Sequence, residues 1–167
     1  MDFPILIDEA GGELTYRLVR QARHTFQGTR KMTTEVPMTI YESLGGEMGI
    51  KRLVHRFYEL MDELPEAYAV RQMHPESLQG SGQSLFEYLS GWFGGPSLYI
   101  QKNGHPRLRM RHVNYAVGPV VRDEWMLCMT QTLTEQVADP ALRAHLIETF
   151  SQMADHMINT APQAAHG

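Results

Sequence analysis

The chain is poor in cysteine, in long apolar runs and in net positive charge, and each shortage removes a class of function. Cys128 is the only cysteine in 167 residues. An internal disulfide and any CxxC metal or redox pair are thereby excluded, and a reducing cytoplasm is the expected location. No apolar run approaches the ~18 residues needed to span a bilayer. The opening "FPILI" is too short for a signal core and has Asp2 ahead of it, so neither membrane nor export is expected. Fifteen Lys and Arg stand against 19 Asp and Glu, a formal charge of −4. That balance gives no electrostatic footprint for nucleic acid. No internal repeat, low-complexity tract or convincing strand alternation occurs.

What is present is helical period. Residues 1–37 form an N-terminal extension in which Leu14, Leu18, Ala22 and Phe26 fall four apart, with Arg17, Arg20 and Arg23 on other faces. This stretch then dissolves into "GTRKMTTEVP". The extension is expected to be partly helical or loosely attached, and to be dispensable for ligand binding.

From Met38 the signal strengthens. Ile50, Leu53, Val54, Phe57, Met61 and Leu64 recur at i, i+3, i+4 and i+7, ending at Pro65. Ser77 is placed to cap the next helix, which carries Leu85, Phe86, Leu89, Trp92 and Phe93 until "GGP" stops it. Residues 97–107 show no clear period. Val117, Val121, Trp125, Cys128 and Thr132 then line one long helix, and Leu142, Leu146, Phe150, Met153 and Met157 another. The expected architecture is all-α, one domain over residues 38–160 with about four substantial helices and a tail at 161–167.

Chemistry concentrates in "GHPRLRMRHVNYAVGPVVRDEW". Leu108 and His112 are four apart and share a face, while Arg107 and Arg111 point elsewhere, so His112 is a candidate interior imidazole. His105, between an Asn-Gly turn signal and Pro106, is expected in an exposed loop. A satisfied core histidine is the simplest account of His112. The alternative is a metal that needs one protein ligand, since no HExxH, no zinc-type Cys/His pairing and no CxxCH attachment site exists. Haem iron meets that requirement, because the porphyrin supplies four nitrogens and one imidazole completes the proximal side.

The segments "YESLGG", "VHRFYELM", "LSGWFGGPSLY", "GHPRLRMRH" and "RDEWMLCM" occur in order across roughly residues 39–160. Together they resemble the group II truncated haemoglobins. The resemblance implies a two-over-two helical sandwich around non-covalent haem b. Its implied roles are His112 as proximal iron ligand and Tyr58, His74 and Trp125 as distal groups hydrogen bonding to a bound ligand. Ser81 falls at the small gate position, with Leu85 and Leu89 as apolar walls. Tyr99 and Arg109 are placed to meet a haem propionate. Asn114 and Tyr115 replace the proline and phenylalanine of many relatives; Asn114 is a candidate cap for the following helix, and Tyr115 packs near the haem.

The expected function is binding of O2, CO or NO at ferrous iron with slow O2 release. An alternative from the enzyme class is nitric oxide dioxygenation or peroxide reduction in the same pocket, which needs an external reductase because no flavin or nicotinamide fingerprint is attached. A helical sensor or interaction protein is the second alternative, and a homodimer is left open.

Overall fold

Thr39 caps the first helix. Its hydroxyl accepts the Glu42 N–H at 3.1 Å and the Glu42 carboxylate accepts the Thr39 N–H at 2.9 Å, a reciprocal cap that satisfies two helix-start donors. The computed structural model describes residues 38–160. The extension 1–37, with its expected amphipathic stretch, and the tail 161–167 lie outside the described residues.

Eight α-helices follow in chain order: α1 (Ile40–Ser43), α2 (Gly46–Glu63), α3 (Tyr68–Gln72), α4 (Gln79–Trp92), α5 (Leu98–Asn103), α6 (Leu108–His112), α7 (Pro119–Gln136) and α8 (Pro140–Met157), with one 3-10 turn at Pro65–Ala67 before α3. The described residues contain no strand, and none of their helices is long and apolar enough to cross a membrane. The four long helices match the four periodic stretches. α2 packs on α4 to form one layer, α7 on α8 to form the other, and α2 against α7 joins the two.

Two glycine features set the geometry of α1 against α2. Gly45 and Gly46 adopt φ of 95° and 64°, left-handed values that turn the chain within two residues. Gly49 is a matter of space, since a Cβ there would lie 1.7 Å from the Leu44 carbonyl oxygen.

α2 buries the expected stripe of Ile50, Leu53, Val54, Phe57 and Met61. α8 buries Leu142, Leu146, Phe150, Met153 and Met157, and starts at Asp139, whose carboxylate accepts from the Ala141 and Leu142 N–H groups. α7 departs from the expected single stripe: Trp125, Met126, Cys128, Met129, Thr132 and Leu133 are buried on more than one side, because α7 is packed by both α2 and α8. Phe150, fully buried, joins the layers through ring contacts with Trp92 (5.4 Å), Phe93 (6.1 Å) and Trp125 (5.9 Å).

Two expected caps are not used. α4 starts from Leu78 without a side-chain cap, so Ser77 does not serve. α7 starts from Gly118 followed by Pro119, and Asn114 is exposed five residues before that helix. Proline at the first helical position needs no N–H partner, which removes the need for a polar cap. Residues 97–107, expected to lack period, contain α5, a helix too short to show one.

Candidate functional site

α6 has five residues, and its start is strained. Arg107 sits at φ 38°, the one non-glycine in the left-handed region among the described residues. That backbone costs an L-residue roughly 1–2 kcal/mol. From this kink Leu108 and His112 turn inward, 1% and 2% exposed, while Arg107, Arg109, Met110 and Arg111 stay on the outside. His105 is exposed, as expected.

The His112 ring is held by its own helix. Its Nδ1 lies 2.6 Å from the Leu108 carbonyl oxygen. A carbonyl only accepts, so Nδ1 carries the proton and the lone pair of the neutral ring is on Nε2. The backbone after α6 is clipped from far away in sequence. Asn159 Nδ2 donates to the carbonyls of His112 (3.1 Å) and Tyr115 (2.9 Å), and Asn159 Oδ1 accepts the Val117 N–H (2.9 Å). Nothing local in the sequence marks Asn159 for this role.

Tyr58, His74, Ser81 and Trp125 form a second neighbourhood. Tyr58 meets Phe57 edge-on at 4.9 Å and His74 edge-on at 5.8 Å, and Phe57 in turn touches Trp125 at 5.2 Å. Burial pushes the Tyr58 phenol above its usual range. The phenol therefore stays protonated at any physiological pH. Ser81 is buried, and its Oγ completes no hydrogen bond to the described residues. Leu85 and Leu89, one and two turns further along α4, are buried.

His74 is half-buried just past α3, and its Nδ1 lies 2.8 Å from the Val70 carbonyl oxygen. Its lone pair is thus also on Nε2. Burial, aided by the nearby Arg71 charge, lowers its pKa to about 4 despite that bond, so the ring is neutral near pH 7. α3 itself is steadied from α7: the Glu124 carboxylate accepts the Val70 N–H at 2.7 Å. Glu124, next to Trp125, is a positioning residue that sequence periodicity could not reveal.

The remaining expected residues divide. Tyr99 on α5 is buried, touches Tyr88 at 6.0 Å, and has the Arg111 guanidinium over its ring at 5.6 Å. The arginine that meets Tyr99 is Arg111, whereas Arg109 is exposed on the outer side of α6. Tyr115 is half-buried beside the Asn159 clip.

The donor set suits haem. No group of three or more His, Cys, Asp or Glu side chains that could hold a metal ion exists among the described residues. What does exist is one buried imidazole whose Nδ1–H is bound to a backbone carbonyl, the arrangement that orients a ligating histidine and raises its basicity.

The family model for bacterial-like globins matches residues 39–159. A group II 2-on-2 hemoglobin from Agrobacterium tumefaciens is 42% identical, with a TM-score of 0.74 over 78% of this chain and 100% of that one. The chain belongs to the group II truncated haemoglobins. A cold-adapted truncated hemoglobin from Pseudoalteromonas haloplanktis is 45% identical, with a TM-score of 0.73 over 74% of this chain and all of that one. A group 2 truncated hemoglobin from Bacillus subtilis is 29% identical over 119 residues, 71% of this chain and 87% of that one. As a truncated haemoglobin, the chain is a haem-binding globin of the two-over-two type, and small diatomic molecules are the general ligand class.

Proposed function

We propose that this truncated haemoglobin holds one haem b through Nε2 of His112 and binds O2, CO or NO on the opposite side at ferrous iron, releasing O2 slowly. The observation that carries the proposal is the buried His112 ring with its Nδ1–H committed to Leu108 at 2.6 Å, which leaves Nε2 as the coordinating nitrogen. Haem, when bound, supplies an iron with one open position for a diatomic ligand.

The chain supplies the rest. Leu85 and Leu89 are apolar walls, and Ser81 is a small side chain on the access path. Tyr99, Arg109 and Tyr115 flank the proximal edge. Tyr58 and Trp125 are the donors: the phenol keeps its proton, and an indole N–H can only donate. His74 closes the pocket beside Tyr58, with its Nδ1–H bonded to the Val70 carbonyl.

A diatomic ligand that gained negative charge in this pocket would be stabilised by the Tyr58 and Trp125 donors, because water cannot compete with donors fixed in a dry site. Each hydrogen bond to a charged partner contributes roughly 1.5–3 kcal/mol, one to two decades of release rate. Absorption spectra test the proposal. The purified protein is expected to show a haem band that shifts on reduction and again under carbon monoxide. A protein that stays colourless and takes up no added haemin overturns it.

A further inference from the structure

Charge is unevenly placed along the chain. Residues 88–122 contain Lys102, Arg107, Arg109, Arg111 and Arg122 and no Asp or Glu, although the whole chain carries 15 Lys and Arg against 19 Asp and Glu. Two of these cations are matched: Lys102 by Glu87 at 3.1 Å, and Arg122 by Asp123 at 2.7 Å and Asp155 at 2.6 Å. Arg107, Arg109 and Arg111 are exposed, and none of them forms an ion pair with a carboxylate of the described residues. The Arg111 guanidinium rests over the Tyr99 ring, which holds the side chain in place and leaves its charge without an anion.

The three unmatched cations surround an apolar centre. At about 100° per residue, α6 turns Leu108 and His112 inward and Met110 outward, with Arg109 and Val113 to one side of Met110 and Arg111 to the other. Arg107 stands one turn before Arg111, whose N–H its carbonyl accepts at 3.2 Å. Met110 is 64% exposed and Val113 72%. An apolar centre inside a polar rim is the anatomy of a protein docking surface, and methionine and arginine are enriched in such surfaces. This one is held at a cost: the cations repel one another, and Arg107 keeps its left-handed φ of 38°. Backbone strain of that kind collects where a surface has work to do.

We infer that the outer face of α6 docks an acidic one-electron carrier protein, of the flavin or iron–sulfur class, which delivers its electron to the haem. Charge selects the carrier, because three unmatched cations attract a carboxylate-rich face and repel a basic one. Place selects its role. The inference rests on the haem reading, in which His112 on the inner face of α6 holds the iron. A carrier on the outer face is then separated from that ligand by about one helix diameter, roughly 10 Å. No flavin or nicotinamide fingerprint lies within these 167 residues to supply the electron. In the step itself the reduced carrier is oxidised by one electron and ferric iron is reduced to ferrous, with no bond made or broken and no proton moved. Met110 and Val113 supply the apolar contact, and the whole surface is small, as in transient electron-transfer pairs.

An acidic flavodoxin is the probe. Its oxidised form, titrated at low salt into the ¹⁵N-labelled full chain in the ferrous carbon monoxide form, is expected to shift the amide signals of Arg109, Met110, Arg111 and Val113 and to leave those of Lys51 and His55 in place. Raising the ionic strength to about 0.15 M should weaken binding about tenfold. Met110→Asp should weaken it at least as much, and Arg107→Asn, whose side chain tolerates the left-handed backbone, about threefold. Arg52→Gln, which deletes an exposed cation on α2, should leave it unchanged. In stopped flow, reduced flavodoxin should reduce ferric Met110→Asp about tenfold more slowly than the wild type, while reduced lumiflavin, a small flavin that needs no docking, should reduce both alike. Four results overturn the proposal. They are α6 signals that flavodoxin leaves in place, an equal loss of binding in Arg52→Gln, an electron-transfer rate that Met110→Asp leaves whole, or equal α6 shifts with phosphatidylglycerol vesicles, which make a lipid surface the occupant. A protein whose absorption spectrum shows no haem sinks the haem reading and this proposal together; a haem-loaded protein with unmoved α6 signals sinks this proposal alone.

Discussion

The two sides of the site are built in different ways. Tyr58, Ser81 and Trp125 sit on α2, α4 and α7, helices of 14 to 18 residues whose other faces form the core. His112 sits on a five-residue helix that begins with a left-handed arginine and is held by the Leu108 carbonyl and the Asn159 clip. Packing of many apolar groups fixes the first set, and a few directional polar bonds fix the second. Small errors on the packed side are resisted by the whole core, whereas the His112 side depends on single hydrogen bonds and should yield to single substitutions.

The largest expected effect breaks the contrast outright. His112→Ala removes the only proposed protein ligand, and the purified variant should lose its haem or show an iron spectrum without histidine ligation. Unchanged uptake and an unchanged spectrum would refute the assignment.

Acid probes the side that packing fixes. His74 titrates at about 4 in the fold against 6.5 for an ordinary histidine. Between those values the unfolded chain binds the proton and the folded one does not. This contribution is therefore complete above pH 6.5 and lost as pH falls toward 4, at most about 3 kcal/mol in all. Denaturant midpoints across that window should fall less in His74→Phe than in the wild type; parallel curves would count against the depressed value.

Trp125→Phe keeps an aromatic ring in the core and deletes one N–H. Oxygen release should become ten- to a hundredfold faster in stopped-flow displacement, corresponding to roughly 1.5–3 kcal/mol. An unchanged rate would remove Trp125 from the donor set.

Asn159→Ala sharpens the comparison from the other side. It leaves the Val117 N–H and two carbonyls without this partner, and should cost about 1–2 kcal/mol of stability. Haem loss should quicken while oxygen release, which the proposal assigns to Tyr58 and Trp125, stays near the wild-type rate. Equal changes in both rates would show that the two sides are not separable. The smallest expected effect is that of deleting residues 1–37, which should leave equilibrium oxygen affinity unchanged.

Much of this was legible before any coordinates. The long helices follow from apolar period, and burial of Leu108 with His112 follows from their spacing of four. The errors are also physical. Ser77 and Asn114 have cap chemistry, but capping depends on where the helix begins, and Leu78 and Gly118–Pro119 begin those helices instead. α7 was expected to bury one stripe because a sequence shows period and not the number of neighbours a helix will have.

Local pattern by itself determined the helical class and the inward face of α6, because these depend on residues within a few turns of one another. Tertiary structure alone decided that Asn159, 47 residues away, would hold the His112 backbone and that Glu124, 54 residues away, would steady α3. Those partners are chosen by how packed helices bring distant groups within hydrogen-bond reach, and no periodicity records that distance.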